Sequence, residues 1–162
     1  MNHPRGNVHH RPRTYLSFML TIHYVRRMSK QPAFLKKPMR EMTAAEWESL
    51  CDGCGLCCQI RVEDEDTGEI ALSNAACRYL CLKTHQCSDY VNRQQNVPDC
   101  IKVTPDNVME LSWLPHTCAY RLVAFGNPLP RWHHLISGNR ERVHRDGPSM
   151  KGELISEDDA EW

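Results

Sequence analysis

Several things are missing from this sequence. No apolar run approaches the ~20 residues that a membrane-crossing helix needs. With 41% apolar residues and a mean hydropathy of −0.58, the chain reads as soluble with a modest core. Aromatics are few, with four Trp, five Tyr and three Phe in 162 residues, which limits the bulky side chain available to fill that core. There is no Gly-rich nucleotide loop, no G-x-S-x-G and no H-E-x-x-H, so the usual sequence marks of nucleotide, acyl-transfer and metalloprotease chemistry are absent. Residues 1–40 hold no Asp or Glu at all.

That last absence exposes an asymmetry. Lys and Arg total 20 and so do Asp and Glu, yet the first 40 residues carry nine of the basic residues and none of the acids. All nine cysteines lie in the acidic remainder, between Cys51 and Cys118. The chain divides into a basic leader (1–27), a linker (28–42), a cysteine-bearing domain (43–150) and an acidic tail (151–162). The leader has an apolar stretch, Tyr15 to Val25, but lacks the small-residue cleavage site of a signal peptide. It is read as a start called upstream of Met28, and the protein is expected in the cytoplasm.

The first cysteines form Cys51-Asp-Gly-Cys54-Gly-Leu-Cys57-Cys58, a C-x2-C-x2-C-C run. A C-x2-C segment can turn back and offer two thiolates to one metal, and Gly53 and Gly55 relieve strain in such a turn. Loop amides pointing at sulfur would help hold the negative charge. Disulfides would need an oxidising compartment, and four cysteines in eight residues are too dense for simple buried thiols. The first three positions match a bacterial ferredoxin run, but Cys58 then follows Cys57 directly. Adjacent side chains diverge in extended backbone, which leaves Cys57 and Cys58 free to serve different centres. Zinc would take four such thiolates in a tetrahedron, and an iron–sulfur cluster would take them around a larger core.

Cys77, Cys81, Cys87, Cys100 and Cys118 follow with no repeat of that spacing. Nine thiols divide into two four-thiolate sites with one to spare. Cys81, set in Leu80-Cys81-Leu82, suits a small hydrophobe.

The local patterns predict short elements. Thr43-Ala-Ala-Glu46 is a capping box opening a helix from Ala44 to Leu50, with Trp47 and Leu50 facing the core. Residues 59–72 read as a hairpin with Ile60, Val62, Ile70 and Leu72 on its apolar positions; its acidic run Glu63–Asp66 reads as a solvated turn. Thr104-Pro105-Asp106 starts a helix to about Leu111, which would present Cys100 near its N-terminal end. Cys118 to Phe125 is a further helix ended by Gly126, Trp132 to Gly138 a turn across the core, and the tail from Glu153 is expected to fray.

The fold class expected is small α+β, with short helices and a β-hairpin organised around a cysteine-ligated metal centre. A core this small needs the metal for part of its stability.

The segments TAAEWESLCDGCGLCC, ACRYLCLKTHQCSDY, PDCIKVTPDN, WLPHTCAYRL and LPRWHHLISG resemble, in order, the bacterial YcgN-like CxxCxxCC family of cysteine-cluster proteins. The resemblance covers roughly residues 39 to 150. It implies zinc or iron chelation with no assigned reaction; wider relatives are called iron–sulfur proteins, and some are linked to flagellin lysine methylation. By the same resemblance, Cys51, Cys54, Cys57 and Cys58 match the name-giving cluster, and Cys77, Cys87, Cys100 and Cys118 match the other cysteines of the family, all eight being expected metal ligands. Cys81 matches none.

The expected function is therefore metal binding, through one or two iron–sulfur clusters in electron transfer, iron handling or sensing. The alternatives are a zinc-binding structural or interaction module, and an enzyme or methyltransferase-like accessory. His85 and His116 are placed to substitute as ligands. His133 and His134 read as solvated turn residues in preference to ligands. Tyr90 and Tyr120 are expected to pack against the cluster core, and Arg78 and Arg121 to make surface salt bridges unless they offset thiolate charge. Nucleic acid is not an expected partner: the cysteine unit is acidic and lacks a C-x2-C…H-x3-H pattern. No membrane span is expected.

Overall fold

The computed structural model describes residues 31–161, so the basic leader lies outside the described residues. Two 3-10 turns, Ala33–Lys36 and Met39–Glu41, come first. Their Phe34, Leu35 and Met39 pack against the main core, so the segment read as a linker contributes apolar surface.

Helix α1 is Ala44–Glu48. The capping box forms as its sequence requires: Thr43 Oγ1 accepts from the Glu46 amide at 3.2 Å, and Glu46 accepts from the Thr43 amide at 2.8 Å. Ser49 ends the helix, and the chain reaches Leu50 in a turn. Trp47 and Leu50 are both buried, and the Trp47 indole donates to the Val103 carbonyl at 2.9 Å.

Strands β1 (Gln59–Glu63) and β2 (Ile70–Ala76) form the hairpin. Asp64 organises its turn, with Oδ1 accepting from the Asp66 and Thr67 amides and the Thr67 hydroxyl. Every residue from Asp64 to Glu69 is exposed, as a solvated turn requires. The hairpin's apolar residues do not form a buried face, however. Val62, Ile70 and Leu72 are exposed, and burial is confined to the base of the hairpin, at Gln59, Ala75 and Ala76.

Strands β3 (Leu80–Cys81) and β4 (Gln86–Cys87) pair antiparallel across a tight turn. Helix α2 is Arg93–Asn96 and α3 is Ala119–Ala124, the latter begun by Cys118 and followed by Gly126 at φ +69°. The helix expected after Thr104 is a run of turns. Thr104 does exchange side-chain bonds with Asn107, but Val108 bonds back four residues and Glu110 only three, and the ladder stops. Helices α4 (His134–Ser137) and α5 (Arg142–Asp146) follow; α4 occupies the segment expected to be a plain turn.

The tail expected to fray is tied down. Leu154 is buried, and strand β5 (Ile155–Ser156) pairs parallel with Ala75 and Ala76 of β2. Glu157 then accepts from the Arg78 amide and guanidinium at 2.9 and 3.0 Å. The fold is a small mixed α+β unit of five short helices and two small sheets among the described residues. Among them, no helix is long and apolar enough to cross a membrane.

Two apolar cores result. The larger joins Trp47, Leu50, Val108, Leu114, Tyr120 and Leu129 with neighbours from the 3-10 turns and α4. The smaller is Ala76, Leu80 and Leu154 with Met150. Each core has a cysteine packed against it: Cys118 on the larger, Cys58 on the smaller.

Candidate metal centre

Helix α1 and its turn deliver the chain into the cysteine loop, and the loop's conformation follows from its glycines. Gly53 and Gly55 have φ of +77° and +84°, the left-handed region that side-chain-bearing residues avoid. Asp52 is buried and accepts from the Cys54 amide at 3.1 Å, closing the turn between the first two thiols. The amides of Gly53 and Leu56 stand over the Cys51 and Cys54 sulfurs and draw their thiols partly back toward ionisation. Loop amides thus face sulfur, as the spacing suggested.

His85 presses on the other side of this loop. It sits at φ +53°, is buried, and neither ring nitrogen has a protein partner. A methyl group at Gly55 would fall 2.7 Å from its Nδ1. Gly55→Ala therefore meets both strain and a clash. Urea unfolding of the variant should show a loss of ~2–3 kcal/mol, with weaker metal retention; an unchanged midpoint would show that the loop is not so constrained.

All nine cysteines are free thiols. Cys51, Cys54 and Cys118 each feel the charge of Cys57 and of Asp52, and Cys57 feels Cys58 and Asp52. Burial, followed by the charge of Cys57, pushes Cys51 up to about 12. Burial likewise pushes Cys118 up to about 11, against the Arg121 and Tyr120 amides that begin α3. Burial and then Asp52 raise Cys54, and the adjoining Cys58 thiol is the chief cause of the rise at Cys57. Cys51 and Cys57 remain accessible to solvent, although enough of the chain flanks them for their thiols to feel burial.

The remaining candidates approach one another elsewhere. The Cys77 amide donates to the Cys58 carbonyl at 3.2 Å, and the Cys77 carbonyl accepts from Leu80 at 2.8 Å. Leu80 pairs with Cys87 across β3 and β4. Burial raises Cys100; the charges of Cys77 and Cys87 also reach it, and Arg93 offsets them. The expected presentation of Cys100 by a helix N-terminus does not occur, since no helix forms there.

Cys81 stands apart, though not for the reason its flanking leucines suggest. It faces away from Leu80 and Cys87 on its strand. Its thiol is held low by the Thr84 hydroxyl, then by the Thr84 and Lys83 amides and the Lys83 charge.

The histidines divide sharply. His116 is exposed. His133, read from sequence as a solvated turn residue, is fully buried. Its Nδ1 accepts from the Leu135 amide at 3.2 Å, so Nε2 carries the proton and donates to the Leu50 carbonyl at 3.0 Å. That bond fixes the residue immediately before Cys51. His134 stacks on His133 with ring centroids 4.5 Å apart, and burial followed by His133 lowers it to about 4, so it stays neutral.

Tyr120 packs on Trp47 with ring centroids 5.1 Å apart, and both Tyr90 and Tyr120 reach the Glu48 carboxylate. Burial and then Cys51 raise the Tyr120 phenol, which places it beside the first thiol group. Arg78 makes the surface salt bridges expected of it, with Glu157 and Asp158. Arg121 binds the Ser112 and Leu114 carbonyls instead. Asp52, Arg93 and the structural role of His133 were not found by sequence reasoning. Only Asp52 had a local signal, its place inside the C-x2-C turn.

As the side chains stand, no group of three or more Cys, His, Asp or Glu among the described residues is set to hold a single metal ion. The donor chemistry nevertheless fits a thiophilic metal. Thiols are crowded together where burial and mutual repulsion oppose ionisation, and a bound cation is what reverses that balance.

A loop of closely spaced thiols, backed by two small cores, defines a cysteine-cluster protein. Residues 50–119 match the CxxCxxCC family model, described as a "Putative zinc- or iron-chelating domain". The chain is 52% identical over 130 residues to a UPF0260 protein of Rhizorhabdus wittichii, covering 80% of this chain and 89% of that one. It is 50% identical over 127 residues to a UPF0260 protein of Pseudomonas fluorescens (78% and 85% covered) and 54% over 123 residues to one of Mesorhizobium japonicum (76% and 83%). The chain belongs to the UPF0260 family of CxxCxxCC proteins. No solved structure matches it.

Proposed function

We propose that this protein binds metal through Cys51, Cys54, Cys57, Cys58, Cys77, Cys87, Cys100 and Cys118, and that the metal is iron in an iron–sulfur cluster serving electron transfer, iron handling or sensing. The observation that carries the metal reading is the gathering of free thiols in the C-x2-C-x2-C-C loop. The family description points the same way.

One feature supports a cluster over a lone ion: the first three cysteines keep ferredoxin spacing. When bound, such a cluster supplies one-electron chemistry. The chain's own part is to seat the thiols and set amides against sulfur. Zinc in the same thiols is the second reading, favoured by the donor set alone.

Anaerobic purification with iron, sulfide and zinc analysis and a visible spectrum separates them. Iron with matching sulfide and a brown chromophore is expected; stoichiometric zinc in a colourless sample would overturn the iron assignment. Cys54→Ser should lose metal, and Cys81→Ser should keep it. Loss of metal from Cys81→Ser would break the division into eight ligands and one bystander.

A further inference from the structure

The β1–β2 hairpin carries apolar side chains that the fold does not use. Burial is confined to its base, while Val62, Ile70 and Leu72 are 42%, 66% and 60% exposed. Cross-strand pairing sets Arg61 opposite Leu72 and Glu63 opposite Ile70, so these four side chains share one face. Arg61 lies over the Trp113 ring, 4.5 Å from its centroid, and Trp113 packs on the larger core. That contact fixes the face beside the core without covering its apolar pair. Single exposed apolar residues are ordinary, but neighbours gathered on one element and rimmed by charge mark a contact surface.

The surrounding charge says what covers it. Glu63, Asp64, Glu65, Asp66 and Glu69 stand close together at the tip, and no Lys or Arg occurs from Val62 to Cys77. Asp64 bonds within the turn, and Glu63, Glu65, Asp66 and Glu69 have no ion pair among the described residues. The basic residues that bracket the hairpin are engaged elsewhere, Arg61 on Trp113 and Arg78 with Glu157 and Asp158. Carboxylates so crowded repel nucleic acid and anionic lipid and favour a cationic occupant. A second copy of the hairpin would bring like charge to like. We propose that the outer half of the β1–β2 hairpin is a docking surface for a basic segment of a partner protein, whose apolar residues cover Ile70 and Leu72 while its Lys or Arg meet the carboxylates of the tip. The hairpin runs directly out of Cys58 and back into Cys77, so a docked partner is held on the element that joins two candidate ligands. The surface itself uses no cysteine and stands whichever metal the thiols take.

The test uses the full chain and a labelled peptide of lysine and leucine, with a lysine–serine peptide as control. Fluorescence anisotropy should show saturable binding of the first that weakens with added salt, and binding of the control weaker by roughly tenfold or more. Ile70→Ser/Leu72→Ser and Glu65→Gln/Asp66→Asn/Glu69→Gln should each weaken the first peptide by roughly tenfold or more. Asp64 is left intact because it holds the turn. Independently of any variant, amide exchange of the wild type should slow within residues 60–72 when the first peptide binds. Equal binding of both peptides, or an Ile70→Ser/Leu72→Ser variant that binds like wild type, would reduce the effect to unspecific charge attraction and overturn the proposal. So would a wild type that binds neither peptide. Self-association of the chain that Leu72→Arg disperses would also overturn it, since a second copy would then cover the face.

Discussion

Stripping the metal from the folded protein lowers its thermal midpoint by on the order of 10–20 °C. The reason lies in the cores. The smaller has only Ala76, Leu80 and Leu154 buried, and the larger relies on one buried Trp and one buried Tyr for bulk. Elements of two to seven residues, joined by long connections, leave much chain entropy to be offset. Calorimetry before and after verified chelation checks the expectation; an unchanged midpoint would show that the metal is not structural.

The metal-free protein also has a characteristic pH response. Cys51 and Cys118 are raised to about 12 and about 11 from an ordinary 9.0, so the folded state favours the protonated thiol. Stability from this source is fully present below pH 9.0 and is lost as pH rises through the raised values. Metal-bound thiolates have no proton to lose, so the loaded protein escapes this alkaline weakening. Metal uptake releases protons and strengthens as pH rises.

His133→Ala destabilises the protein by ~2–4 kcal/mol, through a cavity and an unsatisfied Leu50 carbonyl. It also lowers metal occupancy, because Leu50 leads directly into Cys51. His133→Phe restores the ring volume but not the bond, so it recovers part of the stability and little of the occupancy. Chemical unfolding paired with metal analysis separates these effects. Full occupancy in both variants would reduce His133 to a core residue with no bearing on the loop.

The local signals succeeded where the deciding contacts are local. The Thr43–Glu46 capping box, the turn at Asp64, the helix after Cys118 with Gly126 beyond it, and the glycines of the cysteine loop all depend on neighbours within a few residues. Long-range contacts decided the rest. His133 is buried by a partner 83 residues away, and the tail is held by Ala75, Ala76 and Arg78, which no local pattern reveals. The hairpin's alternation matched a half-buried strand, yet nothing in the described fold covers Val62, Ile70 or Leu72. Thr104-Pro105-Asp106 carries every start signal of a helix, but the following bonds tighten and the segment turns away. Cys81 was set aside on its flanking leucines, whereas its neighbours are the polar groups of Lys83 and Thr84.

The central claim is that the cysteines hold metal instead of standing free or pairing as disulfides. Native mass spectrometry of the anaerobically purified chain, recorded before and after acidification, tests it most directly. The account predicts a mass excess equal to bound metal, with sulfide if the metal is iron, which disappears in acid to leave the fully reduced chain. A native mass equal to that of the bare polypeptide, or one lowered by the hydrogens lost to disulfides, would contradict it.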